Sequence, residues 1–132
     1  AAALGNPAAQ MIIADTSVWV QHFRRGLPDF AAALSQQSIS IHAVVLGELA
    51  TGNLSERRQT LADLRRLPRA TAGTAEECLD FIETHTLHGR GIGWNDVQLL
   101  VSARLSGHSL WSLDARLAAA ATELGVAGPR AR

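Results

Sequence analysis

The sequence predicts an α/β domain of three layers, α/β/α, with a central parallel sheet. Short apolar runs alternate along the chain with longer stretches of helical periodicity, which is the pattern of β–α–β units. Acidic residues directly follow two of the apolar runs, at the edge where open parallel sheets bind ligands. The length of 132 residues suits one domain with one hydrophobic core.

We expect this domain to cover residues 11–128, with 1–10 as a leader or unstructured extension and 129–132 as a tail. Residues 1–10 carry no apolar period and lack the features of a signal peptide. No apolar run approaches the roughly 18 residues that indicate a membrane span. The single cysteine, Cys78, allows no internal disulfide, so we expect a core position for it and a reducing, cytoplasmic location for the protein.

The first part of the chain predicts two strands with helices between them. The apolar run 11–14 is the first strand, and Asp15 suits the N-cap of the helix that follows. This helix is expected to end at Gly26, with a further helical turn or two at 30–34. The β-branched alternation of 39–42 predicts the second strand.

The middle of the chain predicts three helices and a loop. A helix is expected over 43–54, an arginine-rich helix from Ser55 to Pro68, and a third over 74–88. The glycine-rich segment 89–93 is predicted to be a loop.

The last part predicts a helix, a strand and a final helix. Asn95 and Asp96 begin a helix that runs to about residue 106, and 109–113 is the third strand. Asp114 begins the last helix, which ends near residue 125.

The absence of lysine limits the possible functions. Every basic residue is an arginine, and 12 bases balance 12 acids, so the net charge is zero. A P-loop needs a lysine on the phosphates, and dehalogenase-type and response-regulator folds normally place one beside their aspartates. Arginine remains well suited to phosphate contacts. If four of the acids bind metal, the rest of the surface is mildly basic, as RNA binding would require.

Four acidic residues lie beside or near apolar runs: Asp15, Glu48, Asp96 and Asp114. Such positions are costly for acids unless the acids have a use. Carboxylates that meet in space repel one another, and a bound divalent cation offsets that repulsion. Magnesium and manganese prefer oxygen ligands of this kind. The four acids therefore predict a divalent metal site if the fold brings them together.

The segments that carry the four acids resemble the motifs of one family, in its order. They read IIADTSVWV at 12–20, GELATG at 47–52, GWNDVQLL at 93–100 and LWSLDARL at 110–117. The chain resembles PIN-domain proteins, specifically the VapC-type toxins of bacterial toxin–antitoxin pairs. Ser112 and Leu117 stand where threonine and phenylalanine are common, but no acid is missing.

The resemblance implies a PIN fold and a magnesium-dependent endoribonuclease, in which Mn²⁺ can substitute for Mg²⁺. The implied substrate is structured RNA, such as tRNA or ribosomal RNA, whose cleavage stops translation. The implied partners are a second copy of the chain, in a homodimer, and a cognate VapB-like antitoxin that binds the toxin in a heteromer. Such antitoxins cover the active-site groove with a C-terminal segment and often insert an arginine among the acids.

Each motif residue has an expected role. Asp15 and Asp96 are the main candidate metal ligands, and Asp114 is expected to complete the metal shell. Glu48 either ligates the metal or acts as the base that orients the attacking water. The hydroxyl groups are expected to bond the carboxylates or the scissile phosphate, or to cap helices, and the two roles are compatible. These hydroxyl groups belong to Thr16, Ser17 and Ser112.

Three arginines are candidate substrate contacts: Arg24, Arg25 and Arg116. A nuclease needs phosphate contacts near its metal, and these arginines follow the first and fourth motifs. The three tryptophans are expected in the core or at an interface rather than as base-stacking platforms. Two other functions stay open: a binding module that acts through its antitoxin, for instance as a DNA co-repressor, and a structure-selective DNA nuclease.

Overall fold

The computed structural model describes residues 10–129, so most of the expected leader and most of the expected tail lie outside the described residues. Within that range three strands form one parallel sheet in the order β2-β1-β3. The strands are β1 Ile12–Ala14, β2 Ile39–Ser40 and β3 Ser109–Trp111. The α/β class and the central parallel sheet predicted from the sequence are confirmed.

Seven helices surround this sheet in the described part of the chain. They are α1 Thr16–Arg25, α2 Pro28–Ser35, α3 Ala43–Ala50, α4 Arg57–Arg66, α5 Ala75–His85, α6 Trp94–Ser106 and α7 Ala115–Glu123. None of the helices in residues 10–129 is long and apolar enough to cross a membrane.

Both faces of the sheet are buried. Ile13 and Ala14 are adjacent in β1 and have no exposed surface, and Leu110 and Trp111 are adjacent in β3 and almost fully buried. Successive side chains of a strand point to opposite faces, so helices cover the sheet on both sides. This is the three-layer arrangement that the apolar runs predicted.

The sheet is extended by two pairings that the sequence did not predict. Ile41 pairs with Arg69, and Leu110 pairs with Ala127. The Ile41 N–H donates to the Pro68 carbonyl at 2.9 Å, and the Gly128 N–H donates to the Leu110 carbonyl at 2.7 Å. Arg69 and Ala127 are single paired residues outside the three strands, so these pairings leave no alternating pattern in the sequence.

Two helix boundaries in the middle of the chain were predicted wrongly. α3 ends at Ala50 rather than near residue 54, and α4 begins at Arg57 rather than at Ser55. Glu56 has a left-handed backbone with φ of 49°, which no residue inside a helix adopts, so α4 can begin only after it. α5 ends at His85, followed by Thr86 in the same left-handed region.

Aromatic side chains fill the core between α1, α2 and β3. The Phe30 ring packs edge-on against Trp19 and against Trp111, with centroid distances of 4.7 and 5.6 Å. Cys78 is buried, as expected for a small core residue. Trp94 differs from the other two tryptophans because 44% of its surface is exposed at the start of α6.

Candidate active site at the carboxyl edge of the sheet

The parallel strands bring their carboxyl ends to one edge of the sheet. Asp15 follows β1 directly, and its N–H donates to the Trp111 carbonyl at the end of β3, at 3.0 Å. Asp114 follows β3 after two residues and caps α7. The chain leaving β2 enters α3, which carries Glu48 and packs against α1. This edge is where ligands bind in open α/β sheets.

Asp15 is the most deeply buried of the four acids, with 6% of its surface exposed. Its Oδ1 accepts hydrogen bonds from Ser17 Oγ at 2.5 Å and from the Val18 N–H at 3.2 Å, which makes it the N-cap of α1. Its Oδ2 accepts from Ser112 Oγ at 2.5 Å. These three donors compensate the carboxylate for the water it lost on burial.

Two serines connect the first acid to the segment of the fourth. Ser17 Oγ accepts a hydrogen bond from the Leu113 N–H at 3.0 Å, and Ser112 Oγ accepts one from the Asp114 N–H at 2.9 Å. Both hydroxyl groups also donate to Asp15. The serines therefore bind the Asp15 carboxylate and fix the turn after β3. They are not the helix caps, because Asp15 caps α1 and Asp114 caps α7.

Glu48 lies on the exposed side of α3 and is held by the first and third motifs. Thr16 Oγ1 donates to Glu48 Oε1 at 2.6 Å. Asn95 Nδ2 lies 3.5 Å from Glu48 Oε2, at the long limit of a hydrogen bond. Asn95 was not among the predicted site residues. Its position directly before Asp96 at the start of a helix was the available signal.

Asp96 lies half-buried in the first turn of α6. Its Oδ2 accepts a hydrogen bond from the Gly93 N–H at 3.1 Å, which closes the start of the helix. Burial raises the pKa of the Asp96 carboxyl most, the Gly93 N–H lowers it, and the charges of the other three acids raise it further. The fold thus brings all four predicted acids close enough to act on one another.

Asp114 is exposed, and one of its carboxylate oxygens caps α7. Its Oδ1 accepts from the Arg116 N–H at 2.9 Å and from the Leu117 N–H at 3.1 Å. The second oxygen, Oδ2, forms none of the hydrogen bonds found among residues 10–129. Asp114 can therefore cap α7 and still offer an oxygen to a ligand.

None of the four acids forms an ion pair with a basic side chain of residues 10–129. Within that range the ion pairs join Arg66 to Asp63 at 4.0 Å and Arg90 to Glu123 at 2.5 Å. Like charges gathered without a base favour a cation as their partner. The donor set, all carboxylate and hydroxyl oxygens, fits Mg²⁺ or Mn²⁺.

The side chains do not form a closed metal cage. Among residues 10–129, no three His, Cys, Asp or Glu side chains are placed so that together they could hold one metal ion. Mg²⁺ usually keeps several waters and takes only one or two carboxylates directly. The arrangement therefore fits an ion held by one or two carboxylates, with water between the ion and the remaining acids.

The candidate substrate arginines lie in three different settings. Arg24 borders a pocket of about 320 Å³ with Thr16 and Glu48, which we call the Glu48 pocket. Arg25 is exposed at the end of α1 and does not line that pocket. Arg116 is exposed in the first turn of α7 and packs over Gly91, in the loop that leads to α6.

Comparison with known proteins identifies the family. The model of the PIN domain matches residues 12–123, which include all four acids. The chain belongs to the PIN-domain family. The chain is 38% identical over 118 residues to Ribonuclease VapC32 of Mycobacterium tuberculosis, in strains CDC 1551 and H37Rv, and the match covers 89% of this chain and 95% of the relative. The resemblance to VapC-type proteins is confirmed.

A solved structure shares the PIN fold. The crystal structure of PAE2754 from Pyrobaculum aerophilum superposes with a TM-score of 0.54, covering 88% of this chain and 84% of that one. The two sequences are 15% identical, so the likeness bears on the fold alone.

Proposed function

We propose that this PIN-domain protein is the toxin of a VapBC-type pair and a metal-dependent endoribonuclease that hydrolyses RNA phosphodiester bonds. The observation that carries the proposal is the convergence of four acids from four separate segments at the carboxyl edge of the sheet, with no ion pair to a base of residues 10–129. The identity to Ribonuclease VapC32 supports the RNA substrate, and the expected targets are tRNA or ribosomal RNA.

The four acids would have different roles, which follow from their surroundings. Asp15 and Asp96 would hold Mg²⁺, or Mn²⁺ in its place, and Asp114 would complete the shell with its second oxygen. A divalent cation bound there activates water and stabilises charge on the phosphate. Asp15 is pre-positioned by Ser17 and Ser112, whose hydroxyl bonds fix its two oxygens.

Glu48 has two candidate roles that one variant separates. It is exposed and held by Thr16, so it could orient the attacking water or bind the ion. If Glu48 is the base, Glu48→Gln lowers kcat by about a hundredfold and leaves the Mn²⁺ concentration for half-maximal activity unchanged. If it is a ligand, that concentration rises severalfold.

The substrate would approach over the end of α1. Arg24 shares the Glu48 pocket with Thr16, which supports a phosphate contact close to the reacting bond. Arg25, one residue further and outside the pocket, would contact the RNA backbone further away. Arg116 would be the third contact, in the first turn of α7 beside Asp114.

A cognate VapB-like antitoxin would neutralise the toxin in a heteromer, and the toxin itself would form a homodimer. Four acids that pair with no base in the described part of the chain offer a place for an antitoxin arginine. The Glu48 pocket, which includes Val20, Phe23 and Leu49, offers an apolar surface for the rest of an antitoxin segment.

The proposal is tested by inducing the chain alone in bacteria and sequencing the new RNA 5′ ends. We expect growth arrest and cuts concentrated at a few sites in tRNA or ribosomal RNA, both suppressed when the antitoxin is co-expressed. Asp15→Asn, made at the same protein level, should produce neither effect. Growth arrest without new RNA ends would contradict the nuclease, and cuts that persist in Asp15→Asn would contradict its mechanism.

A further inference from the structure

Two arginines join the loop of residues 89–93 to α7, and their environments differ. Arg90 donates to both carboxylate oxygens of Glu123, at 3.0 and 2.5 Å. This bidentate pair connects the loop to the last turn of α7. The charge of Arg90 is therefore already matched within the protein.

The side chain of Arg116 lies directly over the backbone of Gly91. A Cβ atom added at Gly91 would lie 2.7 Å from Arg116 Cδ, 2.7 Å from Nη1 and 3.1 Å from Cζ. These distances are shorter than van der Waals contact, so a side chain at Gly91 would displace the guanidinium from this position. Gly91 also has a φ of 79°, which favours glycine at this position.

Arg116 differs from Arg90 in having no carboxylate partner. Among residues 10–129, no acidic oxygen lies within 4.0 Å of its guanidinium. Its side chain is exposed. Contact with Gly91 nevertheless restricts where the charged group can lie, so binding an anion there loses less side-chain entropy than at a free arginine.

The contact lies between the segments that hold the third and fourth acids. The backbone N–H of Arg116 donates to Asp114 Oδ1 at 2.9 Å. The Gly93 N–H, two residues after Gly91, donates to Asp96 Oδ2 at 3.1 Å. A phosphate bound by Arg116 would therefore lie next to the acids, with which the guanidinium itself forms no ion pair among residues 10–129.

We propose that Gly91 positions Arg116 to bind an RNA phosphate neighbouring the scissile bond, whereas Arg90 serves only to hold the loop against α7. The proposal rests on the ribonuclease function proposed above and deepens it by separating two arginines of the same contact. It makes Arg116 a substrate-binding residue and Gly91 a positioning residue that acts through it.

The test measures the affinity for a labelled RNA stem-loop as a function of salt, in an Asp96→Asn background that prevents cleavage. Arg116→Ala should weaken binding roughly tenfold. It should also reduce the slope of log affinity against log salt concentration by about 0.7, which corresponds to one lost phosphate contact on single-stranded RNA. Arg116→Lys should restore that slope. In the active protein, Arg116→Ala should raise KM while kcat stays within about twofold.

Two glycines provide a matched pair for the positioning role. Gly91→Ala and Gly89→Ala impose similar backbone strain, since φ is 79° and 71°, but a Cβ at Gly89 meets no atom within 4 Å. Gly91→Ala should lower RNA affinity in the same direction as Arg116→Ala, and Gly89→Ala should not. Combined with Arg116→Ala, Gly91→Ala should add no further loss.

Two arginine variants control for charge. Arg90→Gln should leave the salt slope unchanged because Arg90 is paired with Glu123. Arg66→Ala removes a charge beside Leu34 and Ile39, at the edge of the sheet where β2 begins, and should leave the slope unchanged as well.

The outcomes separate the inference from the proposed function. If the wild type cleaves and binds RNA but Arg116→Ala keeps the wild-type slope, or Gly91→Ala behaves as Gly89→Ala, the inference is wrong and the nuclease stands. If Arg90→Gln lowers the slope as much as Arg116→Ala, the division of roles is wrong. A wild type that neither binds nor cleaves RNA overturns both.

Discussion

At the residue scale, Asp15 shows how a costly acid is retained. Only 6% of the surface of Asp15 is exposed, yet each oxygen of its carboxylate accepts at least one hydrogen bond. Two of those donors, Ser17 and Ser112, are themselves bonded to the turn after β3. The network stabilises the fold and would hold the acid in position for the proposed cation.

Replacing Asp15 by alanine should therefore cost stability as well as activity. The hydroxyl groups of Ser17 and Ser112 would lose their acceptor, and α1 would lose its N-cap, for a total of about 2–4 kcal/mol. Asp15→Asn keeps the cap and should cost less. Urea unfolding of both variants measures the difference, and equal stability of Asp15→Ala and the wild type would contradict the network.

Asp96 should behave in the opposite way because its charge is unfavourable in the metal-free protein. Burial and three neighbouring acids raise the pKa of its carboxyl. Asp96→Asn should stabilise the protein in EDTA by about 1 kcal/mol, as relief of strain at functional sites commonly does. Asp80→Asn, on the surface of α5, should change stability by less than about 0.5 kcal/mol. Destabilisation by Asp96→Asn in EDTA would count against repulsion among the acids.

At the element scale, the start of α3 depends on a neutral histidine. His42 is 2% exposed, and its Nδ1 accepts a hydrogen bond from the Val44 N–H at 2.9 Å. Protonation would turn Nδ1 into a donor and remove this cap. Burial lowers the pKa of His42, and the charge of Arg69 lowers it further. Burial also lowers the pKa of His108, whose Nδ1 lies 3.0 Å from Ser40 Oγ.

These two histidines predict a loss of stability in mild acid, which the raised pKa of Asp96 opposes at lower pH. The folded-state pKa of each lies below its ordinary value of 6.5, so the unfolded chain binds more protons as the pH falls through that value. The stability contribution is complete above pH 6.5 and decreases until the folded-state pKa is passed. Denaturant unfolding on both sides of pH 6.5 measures the slope.

The variant His42→Asn isolates the part of the pH dependence of stability that arises at the start of α3. Asparagine is a good N-cap and does not titrate, so the variant should keep the helix start and flatten the pH slope. The slope that remains combines the contribution of His108 with the opposing contribution of Asp96. A variant with the full wild-type slope would show that His42 does not titrate in this window.

At the scale of the whole molecule, the order of elements and the location of the acids could be predicted because both follow from local pattern. The apolar runs predicted the three strands. The positions of Asp15 and Asp114 after two of these strands predicted that both acids lie at the same edge of the sheet. The contacts of Asn95 with Glu48 and of Gly91 with Arg116 join residues far apart in sequence. No periodicity in the sequence encodes such contacts, so they could be found only in the structure. The same holds for the left-handed backbone of Glu56, which sets the start of α4.

A cation bound at the sheet edge should stabilise the folded molecule. At a Mn²⁺ concentration of about a hundred times Kd, the gain should be about 2.7 kcal/mol, because the unfolded chain lacks the site. A thermal melt with and without Mn²⁺ measures it. Asp96→Asn should show a much smaller shift than Asp80→Asn, and equal shifts would place the binding elsewhere.

The central claim is that the four acids form one metal-dependent centre for RNA hydrolysis. Its most direct test is the rate at which purified protein cleaves RNA in Mg²⁺ or Mn²⁺, with Asp96→Asn and Asp80→Asn compared side by side. The account predicts cleavage by the wild type and by Asp80→Asn, its loss in EDTA with recovery on adding metal, and a fall of at least about a hundredfold in Asp96→Asn. Undiminished cleavage by Asp96→Asn, or in EDTA, would contradict it.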